Sequence, residues 1–228
     1  SEIACQKPFG ESREETIFYP ITDEENEEAG TYLSLSVVTG TDLDPLLYVA
    51  FQILDYALLG APGAPLKQAL LDAGIGSDIF GGYDNGILQP YFSVIAKGAR
   101  LEQKDQFLQV ISDKLAQMAK EGISRKSLQA GINYFEFKYR EADYGRYPKG
   151  LMYGLQCFDS WLYDEKDPLM HLKYEKTFET LKEKLEEGYF EELLCWYLIK
   201  NPHRAVITVV PKKGLLAEKE AKLAEKLQ

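Results

Sequence analysis

Residues 32–38, Tyr32-Leu33-Ser34-Leu35-Ser36-Val37-Val38, alternate small polar with apolar side chains, the period-2 pattern of a strand with one buried face. Residues 16–21 upstream read as a short strand closed by the acidic run from Asp23 to Glu28. Downstream, Asp44-Pro45 supplies an N-cap and a first-turn proline. The apolar residues between Leu46 and Leu58 then wrap most of a helix circumference, so this helix is expected to be buried on nearly all sides. Gly60-Ala61-Pro62-Gly63 breaks it. A second helix starts at Pro65, carries Leu66, Ala69, Leu70 and Ala73 on one stripe, and stops at Gly74.

Residues 77–82 and 90–96 read as two strands joined through Tyr83-Asp84-Asn85-Gly86, since Asn and Gly both tolerate positive φ. Leu108, Ile111, Leu115 and Met118 recur at helical spacing up to Gly122. A further helix from Ser124 aligns Leu128, Ile132, Phe135 and Tyr139. A loop rich in Tyr and Gly, residues 144–148, precedes a helix bearing Leu151, Leu155, Phe158 and Leu162. Residues 164–168 interrupt the pattern. Helices over 174–187 and 189–200, parted by Gly188, close at Asn201-Pro202. The β-branched run 206–210 is a strand that Pro211 is expected to end. From Leu215 the chain is charged, with a thin seam of Leu216, Leu223 and Leu227. Helices grouped between strand pairs imply an α+β class: an antiparallel-rich sheet with helices layered on one face. The expected organisation is one domain, residues 1–213, followed by a helical extension, residues 214–228.

Composition narrows the partners. The 228 residues are 45% hydrophobic and 27% charged, which fits an ordered chain and not a disordered one. Lys and Arg number 26 against 36 Asp and Glu, a formal charge of −10 that disfavours nucleic acid and anionic membranes as partners. The apolar stretch from Leu46 is interrupted by Gln52 and Asp55, short of a membrane span. Cys5, Cys157 and Cys195 form no Cys-x-x-Cys pair, and three buried, reduced thiols are expected. Residues 1–8 lack the charged and apolar regions of a signal peptide. A cytoplasmic location is the resulting expectation.

The motifs of chemistry are informative by subtraction. With only His171 and His203, neither His-Glu-x-x-His nor its inverted form can be written. His171-Leu172-Lys173-Tyr174-Glu175 places a His and a carboxylate four apart, and Glu179 one turn on could supply a third ligand. Lys173 and Lys176 fit a solvated surface helix there better. Gly74-Ile75-Gly76-Ser77-Asp78 fails both Gly-x-Ser-x-Gly and Gly-x-Gly-x-x-Gly. No cysteine has a His within a few residues to activate it. The aromatics Tyr134, Phe135, Phe137, Tyr139, Tyr144, Tyr147 and Tyr153 are dense enough for a peptide-contacting surface, although Phe135 and Tyr139 fit the core stripe.

Several ordered blocks carry a resemblance: residues 50–60 through 64–76, the run 89–98, and the ending Asn201-Pro202-His203-Arg204-Ala205-Val206-Ile207-Thr208-Val209. From about Phe9 onward the chain resembles the presequence-protease branch of the insulinase/pitrilysin zinc metallopeptidases, specifically the second, non-catalytic domain. In that family, homologous α+β domains form two halves around an enclosed chamber, joined by a helical hairpin. The resemblance implies that residues 215–228 enter that hairpin. It implies a zinc held by the first domain of the parent protein and none in this chain. The partners it implies are the parent's other domains, with unfolded peptides as substrate of the whole enzyme. Leu71 and Ser77 stand where the family's fourth domain has the Arg and Tyr that polarise the scissile carbonyl, so no catalytic or metal residue carries over and the chain alone is expected to be inactive. Gly81, Gly82 and Tyr83 are the candidate contacts with the chamber, because glycines permit close backbone approach; a bulge or tight turn is the structural alternative. A stand-alone binding or scaffold protein on the same fold is the alternative function.

Overall fold

The computed structural model describes residues 3–227, and among them five strands form one mixed sheet. The strands are β1 (Arg13–Ile21), β2 (Thr31–Val38), β3 (Asp78–Asp84), β4 (Tyr91–Ala99) and β5 (Arg204–Lys213), ordered β1-β5-β2-β4-β3 across the sheet. β5 with β2, β2 with β4 and β4 with β3 are antiparallel, and β1 lies parallel to β5. This is the antiparallel-rich α+β arrangement that the hydrophobic pattern implies. The alternation in β2 acts as expected: Leu33, Leu35 and Val37 are buried while Ser34, Ser36 and Val38 stay partly exposed. Phe92, Val94 and Ala96 of β4 and Val206 of β5 join the same core.

The helices are α1 (Pro45–Asp55), α2 (Pro65–Asp72), α3 (Lys104–Glu121), α4 (Arg125–Glu141), α5 (Lys149–Trp161), α6 (Tyr174–Glu186), α7 (Tyr189–Leu193) and α8 (Leu215–Leu227). Asp44 caps α1, its Oδ1 accepting from the backbone N–H groups of Leu46 at 2.9 Å and Leu47 at 3.0 Å. The all-round apolar surface of α1 is buried as expected, from Leu47 through Leu54, apart from half-exposed Gln52. A π-helical turn, Tyr56–Gly60, continues it and buries Ala57, Leu58 and Leu59. The stretch Pro45–Asp72 is long and apolar enough to cross a bilayer by composition, yet these side chains form the protein core. Phe51, Phe107, Phe178 and Phe190 are fully buried where α1, α3, α6 and α7 meet. Each such ring contributes about 1.5–3 kcal/mol of burial.

Several boundaries differ from the pattern. β1 begins at Arg13, ahead of the expected Thr16. β3 runs through Tyr83 to Asp84, so the turn starts two residues later than Tyr83-Asp84-Asn85-Gly86 suggests. β5 passes through Pro211 to Lys213. The proline is tolerated because β2 stops pairing at Tyr32 opposite Val209, leaving only β1 alongside, where Tyr19 is the partner of Pro211. The expected helix over 189–200 is α7 followed by a π-helical segment, Leu194–Ile199. The thiols are free, but contrary to expectation none is buried: Cys5 is exposed, Cys157 and Cys195 partly so. α8 packs along β1 and buries none of its residues.

Candidate functional site

The loop after β2 is pinned to the β3–β4 connection. Thr39 donates to the Pro90 carbonyl from its N–H at 2.9 Å and from its hydroxyl at 3.2 Å, and the Asp42 N–H donates to the Leu88 carbonyl at 2.9 Å. This buries the Asp42 side chain completely, with neither carboxylate oxygen hydrogen-bonded. Burial, reinforced by the charge of Asp159, pushes its pKa up to about 9, so the group is protonated at neutral pH.

Tyr48 and Gln52, one turn apart on α1, reach the neighbouring helices from the same side. Tyr48 Oη donates to Asp159 Oδ2 of α5 at 2.8 Å, and Gln52 Nε2 donates to Tyr139 Oη of α4 at 3.0 Å. Burial raises the pKa of the Tyr48, Tyr139 and Asp159 side chains. His171, in the 3-10 turn Met170–Leu172, stacks on Tyr48 and has both ring nitrogens buried without a hydrogen bond. Burial lowers its pKa to about 4, so its ring is neutral. Between α1, α4, α5 and Asn85 at the end of β3 lies a cavity of about 360 Å³, onto which Tyr48, Gln52, Tyr139, Tyr144 and Asp159 open.

Gly81, Gly82 and Tyr83 lie on β3, at the edge of the sheet, and none of them lines this cavity. A Cβ on Gly81 would come 2.0 Å from the Ser93 carbonyl oxygen, so the glycine there serves the close approach of β3 to β4. At Gly82 the nearest heavy atom to such a Cβ is Asp55 Oδ2 at 3.9 Å, and this position is free of that constraint. Tyr83 is half-buried, its ring 5.4 Å from that of Phe51.

The surface-helix reading of His171 is corrected. The backbone turns at Lys173, which has φ −90° and ψ 57°, and only then does α6 begin. His171 therefore points inward while Glu175 and Glu179 are exposed, and the three do not converge. Among the described residues no group of three or more His, Cys, Asp or Glu side chains is placed to hold a metal ion. The aromatic cluster divides. Phe135 and Tyr139 pack against the core, whereas Tyr134, Phe137, Tyr147 and Tyr153 are exposed. Sequence reasoning missed Asp42, Tyr48 and Asp159. The available signal was the polar pair Tyr48 and Gln52 on a helix that is otherwise apolar up to Asp55.

The family description "Peptidase M16 inactive domain" matches residues 6–135. The chain belongs to that family. As an M16 inactive domain it is 42% identical to protein HypA of Clostridium perfringens over 228 residues, covering 100% of this chain and 23% of that protein. It is 31% identical to presequence protease 1, chloroplastic/mitochondrial, of Arabidopsis thaliana over 226 residues, covering 96% of this chain and 21% of that protein. The M16 domain thus spans under a quarter of the length of these relatives. Its fold is similar to that of the inactive peptidase domain of a zinc protease from Bordetella parapertussis. The TM-score there is 0.65 at 14% identity, over 81% of this chain and 92% of that one.

Proposed function

We propose that this M16 inactive domain is a non-catalytic wall of a zinc metalloendopeptidase that degrades unfolded peptides in an enclosed chamber. The zinc belongs to another domain of the same protein, since the residues described here do not fit a zinc site. The observation that carries this reading is the alignment of nearly the whole chain, 96%, with about a fifth, 21%, of a presequence protease. The surface supports it. Tyr134 and Phe137 of α4, with Phe158 and Trp161 of α5, leave large apolar area in solvent, which the rest of such a protein covers. In this role Gly82 and Tyr83 face the chamber from the sheet edge.

The test compares the chain alone with the full-length protein on an unstructured peptide. The full-length protein cleaves the peptide and loses activity to a chelator, while the chain alone leaves it intact. Chelator-sensitive cleavage by a clean preparation of the chain alone overturns the reading. A full-length protein without any peptidase activity favours a binding or scaffold role on the same fold.

A further inference from the structure

The cavity between α1, α4 and α5 holds a chemistry that a passive wall leaves unused. Asp159 is half-buried, and the one hydrogen bond it accepts among the described residues comes from Tyr48 Oη at 2.8 Å. An ionised carboxylate has room for about four hydrogen bonds. No Lys, Arg or His is ion-paired with Asp159 among the described residues. Around it stand the phenol rings of Tyr48, Tyr139 and Tyr144. Tyr144 is braced edge-on by Tyr153 at 6.1 Å, and Tyr139 by Phe178 at 5.6 Å. Aromatic faces carry negative charge density and attract a cation within about 6 Å of the ring centroid. Lys138 also lines the rim, but its ammonium is 6.0 Å from the exposed ring of Tyr134.

We infer that this cavity is a binding site for one basic side chain of a peptide, arginine in preference to lysine. Asp159 is its counter-charge, and Tyr139 and Tyr144 supply the ring faces. The planar guanidinium suits both partners, pairing two N–H groups with a carboxylate while stacking on a ring, which an ammonium does not do. At about 360 Å³ the space takes one such side chain and not a folded segment. The site names a side-chain class for the wall proposed above, and depends on that reading only for the peptide that delivers the side chain.

The probe is a capped, unstructured pentapeptide with a single arginine, against the same peptide with citrulline, which keeps the shape and removes the charge. Both are titrated calorimetrically into the full-length protein with a chelator present, so that binding is read without turnover. The arginine peptide is expected to bind about tenfold tighter. Asp159→Asn abolishes that preference. Tyr144→Leu weakens the arginine peptide, while Tyr144→Phe, which keeps the ring, retains its affinity; loss through misfolding would not follow that order. Equal binding of the two peptides by the wild type overturns the site. A preference that survives Asp159→Asn overturns it too. A protein that cleaves nothing yet prefers arginine retains this site and loses only its role as a peptidase wall.

Discussion

The rings of Tyr48 and His171 lie 3.9 Å apart between centroids with their planes 21° from parallel, and the hydroxyl of the same tyrosine donates to Asp159. One side chain of α1 therefore holds both α5 and the turn that follows it. α5 has few other attachments. It buries only Ser160 and packs chiefly on the Met170–Leu172 turn, to which Gln156 adds a hydrogen bond at 3.2 Å to the His171 carbonyl.

Tyr48→Phe keeps the stack and removes the bond to Asp159. A hydrogen bond to a charged group contributes about 1.5–3 kcal/mol, and a loss of that size is expected in denaturant titration. Amide hydrogen exchange localises the effect: residues 149–172 exchange faster while α1 and β2 remain protected. Uniform loss of protection would show that Tyr48 supports the whole core and not this attachment.

His171 has a folded pKa of about 4 against an ordinary 6.5. Between those values the unfolded chain takes up a proton that the folded chain refuses, so stability falls as pH drops from about 6.5 to about 4. His171→Phe keeps a ring against Tyr48 and removes the titration. The stability difference between wild type and variant should change by about 3 kcal/mol across that window, against the wild type at the acid end. A difference independent of pH refutes the burial of a neutral imidazole.

Asp42 has the opposite sign. Its folded pKa of about 9 lies above the ordinary 3.8, so the folded chain retains a proton that the unfolded chain releases. This source of stability is complete at acid pH and is lost as pH rises through the window up to about 9. Asp42→Asn cannot ionise. Whatever its baseline, it gains on the wild type by about 4 kcal/mol between about pH 5 and about pH 8.

Neighbouring glycines in β3 should behave differently. Gly81→Ala drives a methyl group to within 2.0 Å of the Ser93 oxygen and must spread β3 from β4, costing about 1–3 kcal/mol. Gly82→Ala meets nothing nearer than 3.9 Å and should be close to neutral for stability. In the full-length protein Gly82→Val is expected to slow peptide turnover by narrowing the chamber face. Unchanged turnover with unchanged stability would remove Gly82 from the list of peptide contacts.

Local features of this fold were legible in the amino-acid sequence because their causes are local. The alternation in residues 32–38 gave β2, and the apolar wrap after Asp44-Pro45 gave a core helix. The pairing of Arg13 with Ala205 could not be read, since β1 is exposed on both faces and bears no alternation that names a partner. Pro211 looked like a strand end only because the early stop of β2 on that side is a tertiary fact. At the site, Lys173, Glu175 and Lys176 made the surroundings of His171 look solvated, and one backbone turn at Lys173 sends the ring inward. Asp42 meets Leu88 of the β3–β4 connection and the charge of Asp159 on α5 only after folding, so no spacing along the chain announced it.

The place of β5 between β1 and β2 bears on how the protein is born. During translation the first four strands emerge with a vacancy beside β2 that nothing made so far can occupy, and β1 has no neighbour at all. The last strand of the sheet, Arg204–Lys213, leaves the ribosome only after α1 to α7 have been made and stitches both together. Until that moment the nascent polypeptide displays two unpaired ribbon borders, Arg13–Ile21 and the outer side of Thr31–Val38, to every chaperone and sister chain in reach.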